Sequence, residues 1–239
     1  MIATSTGILL SVRHLAAGAG RRTTPVSAAA IQGSVYVGDH VGTGNTNGPA
    51  TVYAFRASDG KLRWRRSLPC PLVAPVVVGT GMVYAYTAPC NQNRSALYAL
   101  RSSDGVPTWH FTLLAPWASA PPSYAYVLGD GPVPVVFNGV VYLSSANYDD
   151  NAKSSSPLGS IFAIDALSVV DGSPLWHVQM AGYGYAPAPV VVGSTLCLAI
   201  LAASLNPMHI YGLSLADGHT TWQDAVPSTL SMYPAFIDR

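Results

Sequence analysis

The sequence predicts an all-β protein, a β-propeller of four-stranded antiparallel blades. Three observations predict it. The pattern Asp-Gly-x-x-x-Trp occurs four times, as Asp59-Gly60…Trp64, Asp104-Gly105…Trp109, Asp171-Gly172…Trp176 and Asp217-Gly218…Trp222. Self-similarity at a period of about 20–50 residues marks a repeat architecture. The chain also carries 22 Gly and 19 Pro, many of them spaced between Val-, Tyr- and Ile-rich runs. This is the composition of short strands joined by tight turns. Finally, an apolar hairpin precedes each copy of the pattern.

Each unit divides into four strands. The first two form the hairpin, at 28–38 (AAAIQGSVYVG), 74–87 (APVVVGTGMVYAYT), 133–144 (VPVVFNGVVYLS) and 188–200 (APVVVGSTLCLAI). Its turn is expected at Gly33, Gly79, Asn138-Gly139 and Gly193, because these residues accept the positive φ of a tight hairpin turn. The third strand is VYAF, LYAL, IFAI or IYGL. The Asp-Gly pair then serves as a second hairpin turn, and the Trp rides on the fourth strand. Inner strands that are apolar at nearly every position fit a sheet covered on both faces by neighbouring blades. The Trp, the largest apolar side chain, fills the wedge that widens away from the propeller axis, with a backbone carbonyl accepting its indole N–H.

On this reading one domain spans 1–239. Complete blades occupy 24–68, 69–114, 115–180 and 181–226, and partial blades occupy 1–23 and 227–239. The spacing between the second and third Asp-Gly pairs is 67 residues, against 45 and 46 for the others, so the third unit carries an insertion. The segment ATSTGILLSVRHL (3–15) resembles a blade's end with Ser11 in place of Trp, and YPAFIDR (233–239) resembles a first strand. The expectation is therefore a fragment, a truncated product or half of an assembly.

Composition excludes several function classes. Only 10% of residues are charged and the net charge is +1, which gives no electrostatic footing for nucleic acid or an anionic membrane. The 20 uncharged residues 186–205 have the length of a membrane span. They also contain Pro187, Pro189 and Gly193 and align with strand pairs elsewhere, so they read as strands and no membrane span is expected. The N-terminus lacks the basic region and apolar stretch of a signal peptide.

The run from Ala54 to Trp64, with Asp59-Gly60-Lys61, resembles the tryptophan-docking repeat of the pyrroloquinoline quinone (PQQ) propeller family, as does the hairpin at 74–86. The resemblance covers about residues 24 to 226 in four copies. It implies the propeller fold and an extracytoplasmic setting, periplasmic, secreted or at the cell surface. It leaves function open, since the family spans quinoprotein dehydrogenases, an outer-membrane assembly lipoprotein and propellers of other roles. In the enzymes an axial site holds PQQ with calcium, an Asp base and often a disulfide between adjacent Cys residues. Here Cys70, Cys90 and Cys197 are far apart.

A catalytic acid is needed once, whereas Asp59, Asp104, Asp171 and Asp217 recur once per unit, so they read as turn formers and Trp64, Trp109, Trp176 and Trp222 as blade masonry. Asp149 and Asp150, with Asp130 upstream, could offer oxygen ligands to calcium; they equally fit a solvated loop, and no metal is assigned. His110 and His177 follow a docking Trp directly and read as surface positions. No Ser/His/Asp set, Walker loop or zinc spacing is visible. The reading is a non-catalytic binding or scaffold propeller without a cofactor; the alternative is a piece of a PQQ-dependent dehydrogenase, with PQQ and calcium. A protein, small-molecule or carbohydrate partner is expected on the rim carrying the longer connections, where Trp117, Tyr124, Tyr126, Tyr148, Tyr183 and Tyr185 join Asp149 and Asp150. Cys70 and Cys90 lie equally far from the hairpin turn near Thr80, so antiparallel pairing sets them face to face and predicts a disulfide. Cys197 should be a buried free thiol.

Overall fold

A computed structural model describes residues 23–41, 49–72, 74–88, 90, 95–113, 133–147, 160–182, 188–201 and 208–226. Among the described residues sixteen strands form four separate four-stranded sheets, each antiparallel and each in chain order. The first comprises β1 (Thr23–Ile31), β2 (Ser34–Val41), β3 (Ala50–Arg56) and β4 (Leu62–Leu68). The second comprises β5 (Val77–Gly79), β6 (Met82–Thr87), β7 (Ala96–Arg101) and β8 (Pro107–Thr112). The third comprises β9 (Val135–Phe137), β10 (Val140–Asn147), β11 (Ser160–Ser168) and β12 (Pro174–Gly182). The fourth comprises β13 (Val190–Val192), β14 (Thr195–Leu201), β15 (Met208–Ser214) and β16 (Thr220–Val226). The uncharged run 186–205 contributes β13 and β14, and no helix among the described residues is long and apolar enough to cross a membrane.

First strands meet first strands, β1 with β5, β5 with β9 and β9 with β13, so they are the innermost element of each blade. The Trp-bearing β4, β8 and β12 lie outermost. The core is accordingly three slabs, one between each pair of blades. Tyr36, Val52 and Trp64 of the first blade pack with Leu72, Val83 and Leu100 of the second. Tyr84, Leu97 and Trp109 of the second pack with Val141, Leu143 and Leu167 of the third. Phe162 and Ile164 of the third pack with Leu196, Leu198 and Leu213 of the fourth. Consecutive residues of β6 serve both slabs: Val83, Tyr84 and Ala85 are all fully buried, which is why the inner strands show no polar alternation.

The first hairpin turns sit at Gln32-Gly33, Thr80-Gly81 and Asn138-Gly139, both residues of each at positive φ, and at Gly193-Ser194, with positive φ at Gly193. In the second blade the turn falls two residues later than the expected Gly79, which is the last residue of β5. Thr80 accepts a φ of 51° there, and its hydroxyl bonds the Tyr84 hydroxyl at 3.2 Å. The Asp-Gly pair is likewise not a two-residue turn. Residues 57–61 connect β3 to β4, the Gly60 N–H donates to the Arg56 carbonyl at 2.8 Å, and only the Gly is at positive φ. Its Asp acts through its side chain, as described below. A register shift follows in the same place in all four blades, at Ala54/Phe55, Ala99/Leu100, Ala166/Leu167 and Gly212/Leu213. It leaves one extra residue on the fourth strand just before the Trp. In the second and fourth blades that residue is Thr108 or Thr221, whose hydroxyl donates to the carbonyl of Ala99 (3.1 Å) or Gly212 (2.9 Å).

Candidate functional site

The four repeated Asp carboxylates are engaged within their own turns. Asp59 accepts from the Lys61 N–H at 3.1 Å and pairs with Arg56 at 3.1 Å. Asp104 accepts from the Val106 N–H at 3.0 Å and pairs with Arg101 at 2.9 Å. Asp171 accepts from the backbone and hydroxyl of Ser173, and Asp217 bonds both the backbone and the ring of His219. Hydrogen bonds to the Ser173 backbone and hydroxyl hold Asp171 below the usual carboxylate range, and the His219 ring does the same first for Asp217. Such ionised, locally bonded acids hold a turn.

Three of the Trp residues form one repeated joint. The Trp64 Nε1–H donates to the Ser102 carbonyl of the next blade at 2.9 Å, Trp109 to Val169 at 3.0 Å and Trp176 to Leu215 at 3.0 Å. Each acceptor lies three residues before the Gly of that blade's Asp-Gly pair, and the indole lies flat on this Gly. A Cβ added at Gly105, Gly172 or Gly218 would stand 2.5–2.6 Å from Cε3 of the arriving ring. The Gly is thus required twice, for its positive φ and for the ring's close approach. Behind each ring stands a Tyr of the Trp's own blade, Tyr36, Tyr84 or Tyr142, with ring centroids 5.8–5.9 Å apart.

The fourth Trp departs from the expected equivalence. Trp222 is 44% exposed, against 8% for Trp64 and 9% for Trp109. Its indole lies back over Gly212 of its own blade. The corresponding residues of the other blades are Ala54, Ala99 and Ala166, each paired with the Trp in register. The Tyr position is also smaller, being Cys197, which is paired with Gly212.

Cys70 and Cys90 are joined by a disulfide with a Cα–Cα distance of 5.5 Å. It ties the connection after β4 to the connection after β6, and both residues are buried. Cys197 is a free buried thiol, and burial pushes its pKa up. The candidate ligand residues Trp117, Tyr124, Tyr126, Tyr148, Asp149, Asp150, Tyr183 and Tyr185 lie outside the described residues. The same holds for Asp130. Among the described residues no group of three or more His, Cys, Asp or Glu could hold a metal ion.

One pair was invisible from sequence. His177, after its Trp, is bonded through Nδ1 to Asp165 at 2.8 Å. Asp165 is 6% exposed; burial raises its carboxyl pKa, with His177 opposing. The two sit opposite each other on β11 and β12, twelve residues apart in sequence, which only the register reveals. In the second blade the same pair of positions holds Tyr98 and His110, stacked with centroids 5.6 Å apart.

In every blade the short turns fall on one rim. The long connections, β2–β3, β6–β7, β10–β11 and β14–β15 within blades and β4–β5, β8–β9 and β12–β13 between them, fall on the other. The family model of the outer membrane protein assembly factor BamB matches residues 5–113 and 91–232. The chain belongs to this PQQ-like propeller repeat family. Among solved structures it resembles BamB from Moraxella catarrhalis at 14% identity and TM-score 0.50, covering 87% of this chain and 67% of that one. It also resembles the quinohemoprotein alcohol dehydrogenases from Pseudomonas putida HK5 (17% identity, TM-score 0.54) and Comamonas testosteroni (16%, 0.51). These matches cover 83% and 84% of this chain but only 34% and 35% of the dehydrogenases, so it spans about a third of their length. No curated protein sequence matches the chain.

Proposed function

We propose that this repeat domain is a non-catalytic scaffold that binds a protein partner in the cell envelope through the rim of long connections. The observation that carries this reading is the division of labour between the two rims. The short-turn rim is consumed by structure, its Asp and Gly residues holding turns and receiving Trp rings. The opposite rim gathers all the long connections on a rigid support, the usual location of binding function. The BamB family membership supports an assembly role near the outer membrane. The Cys70–Cys90 disulfide supports an oxidising compartment. A photo-crosslinking side chain at the exposed Ala188, on the long-connection rim, should give a dominant adduct with an envelope protein in cells. The same group at Val170, 79% exposed on the short-turn rim, should not. Equal adducts from both positions would overturn the reading.

The fold likeness to quinohemoprotein dehydrogenases favours a second reading, a portion of a PQQ-dependent enzyme. It predicts saturable binding of PQQ with calcium and dye-linked alcohol oxidation. The scaffold reading predicts neither.

A further inference from the structure

We propose that β4, the outermost strand of the first blade, is a docking surface for an acidic, extended segment of a protein partner, held through Arg63 and Arg65. This surface lies on the outer edge of the blade, apart from the rim of long connections, and the inference stands whether or not that rim binds a partner. Its basis is an uneven distribution of charge. The Lys and Arg among the described residues are Arg56, Lys61, Arg63, Arg65, Arg66 and Arg101, so all but the last belong to β3, β4 and the turn between them. No Asp or Glu occurs between Asp59 and Asp104. The equivalent outer strands differ: β8 and β12 carry no Lys, Arg, Asp or Glu, and β16 carries Asp224. A chain with a net charge of +1 thus concentrates its described cations along one outer strand.

Most of these cations are committed. Arg56 and Lys61 pair with Asp59, and Arg101 pairs with Asp104. Arg66 is half-buried, and its Nε–H donates to the Gly105 carbonyl at 2.8 Å. Among the described residues Arg63 and Arg65 have no carboxylate partner. Arg63 donates from Nη1 to the Ser34 hydroxyl, and Arg65 makes no hydrogen bond or ion pair. Asp39 is buried and accepts from the Thr51 N–H. Arg63 and Arg65 are both exposed, and their exposure belongs to the position within the blade. The matching residues Thr108 and His110 of β8, and Leu175 and His177 of β12, are exposed although a blade precedes each of theirs. Trp64 between the two arginines is buried and bonded to Ser102 of the next blade, so the strand that carries them is fixed. Same-face side chains of a strand repeat about every 6.6–6.8 Å. Carboxylates at alternate positions of an extended segment have the same repeat and meet both guanidinium forks, which accept a carboxylate bidentately. Among the described residues β4 has only β3 beside it, so no strand occupies its outer edge. Charge on an edge strand also deters pairing between like copies. That role alone does not account for the row, because β8 and β12 are equally outermost and uncharged. Nucleic acid fits less well, because its affinity grows with the number of phosphates contacted and only two guanidinium groups are uncommitted.

Fluorescence anisotropy of a labelled peptide of four Glu-Thr repeats, titrated with the full chain, tests this. Binding should be saturable at low ionic strength and weaken as salt is added. The same peptide with Gln in place of Glu should not bind. Arg65→Glu should weaken binding about tenfold or more, since it sets like charges against each other. Arg63→Glu combined with Arg65→Glu should abolish it, with an unchanged far-UV spectrum. His110→Glu, at the matching position of β8, should leave binding as it is. Should a Glu variant lose its sheet signal, Arg63→Gln with Arg65→Gln takes its place. Absence of saturable binding, equal binding of the Gln peptide, or binding that survives the double variant would overturn the proposal. So would an equal loss in His110→Glu, or an oligothymidylate of the same length that binds more tightly than the Glu peptide.

Discussion

Two glycine substitutions isolate the Trp-on-Gly contact from the backbone that carries it. Gly139 and Gly172 both sit at positive φ, 80° and 72°. An added Cβ meets nothing within 4 Å at Gly139, but at Gly172 it stands 2.5 Å from Cε3 and 2.7 Å from Cδ2 of Trp109. Ala at either site incurs the left-handed penalty of about 1–2 kcal/mol. At Gly172 the indole must also retreat by about 1 Å to reach ordinary contact distance, which strains its 3.0 Å hydrogen bond to Val169. Crowding of this kind costs roughly 1–3 kcal/mol further. Gly139→Ala should therefore lower unfolding free energy by about 1–2 kcal/mol, and Gly172→Ala by roughly 2–5 kcal/mol. Equilibrium urea unfolding followed by circular dichroism measures both. Repeating the pair in a Trp109→Ala background should bring the two values together, because the group that clashes is gone. Equal losses in the wild-type background, or a gap that persists without the indole, would refute the account of the joint.

Trp109→Ala alone should cost on the order of 3–5 kcal/mol, the range for buried aromatic deletions, with thermal unfolding as the measure. Trp222→Ala should cost clearly less, since nearly half of that ring faces solvent. Cys70→Ser with Cys90→Ser should lower stability by about 3 kcal/mol, from the loop entropy of the 20-residue separation, read by urea unfolding under non-reducing conditions. For Asp165 the sign follows from its raised pKa. The folded state holds the proton more tightly than the unfolded state, so the acid's stability penalty is absent below the unfolded pKa. It grows as pH rises through the folded one. Asp165→Asn should therefore raise the melting temperature at neutral pH relative to wild type, with the gain fading toward pH 3; a gain that is larger at acid pH would contradict the assignment.

The four sheets were legible because each repeats the same local chemistry at the same place: a Gly-bearing hairpin turn, an apolar third strand, then Asp-Gly and Trp. The disulfide followed from symmetry about Thr80, and the hairpin does turn at Thr80-Gly81. What sequence did not yield depends on register or on a neighbour. Asp165 and His177 meet across two strands, so neither residue's own surroundings in the chain announces the other. The double duty of Gly105, Gly172 and Gly218 requires a ring arriving from another blade. Trp222 has the same motif as its counterparts and a different placement, because its indole lies over Gly212 of its own blade, where the other blades carry Ala. The loop aromatics carried no periodic signal, and they fall outside the described residues.

The order of parts within each blade has a consequence for how such a chain grows or shrinks. The receiving turn precedes the docking Trp in sequence, Gly105 before Trp109, and the turn belongs to the joint behind while the Trp belongs to the joint ahead. A cut made at one Asp-Gly pair and rejoined at another keeps every Trp facing a Gly with a carbonyl three residues upstream. The unit that recombination can duplicate or delete without loss of fit therefore runs from Gly to Gly, out of phase with the sheet. Any length change that instead begins and ends between a Gly and its own Trp by a single residue moves the indole to the opposite side of the strand and breaks the seam ahead while leaving the seam behind intact.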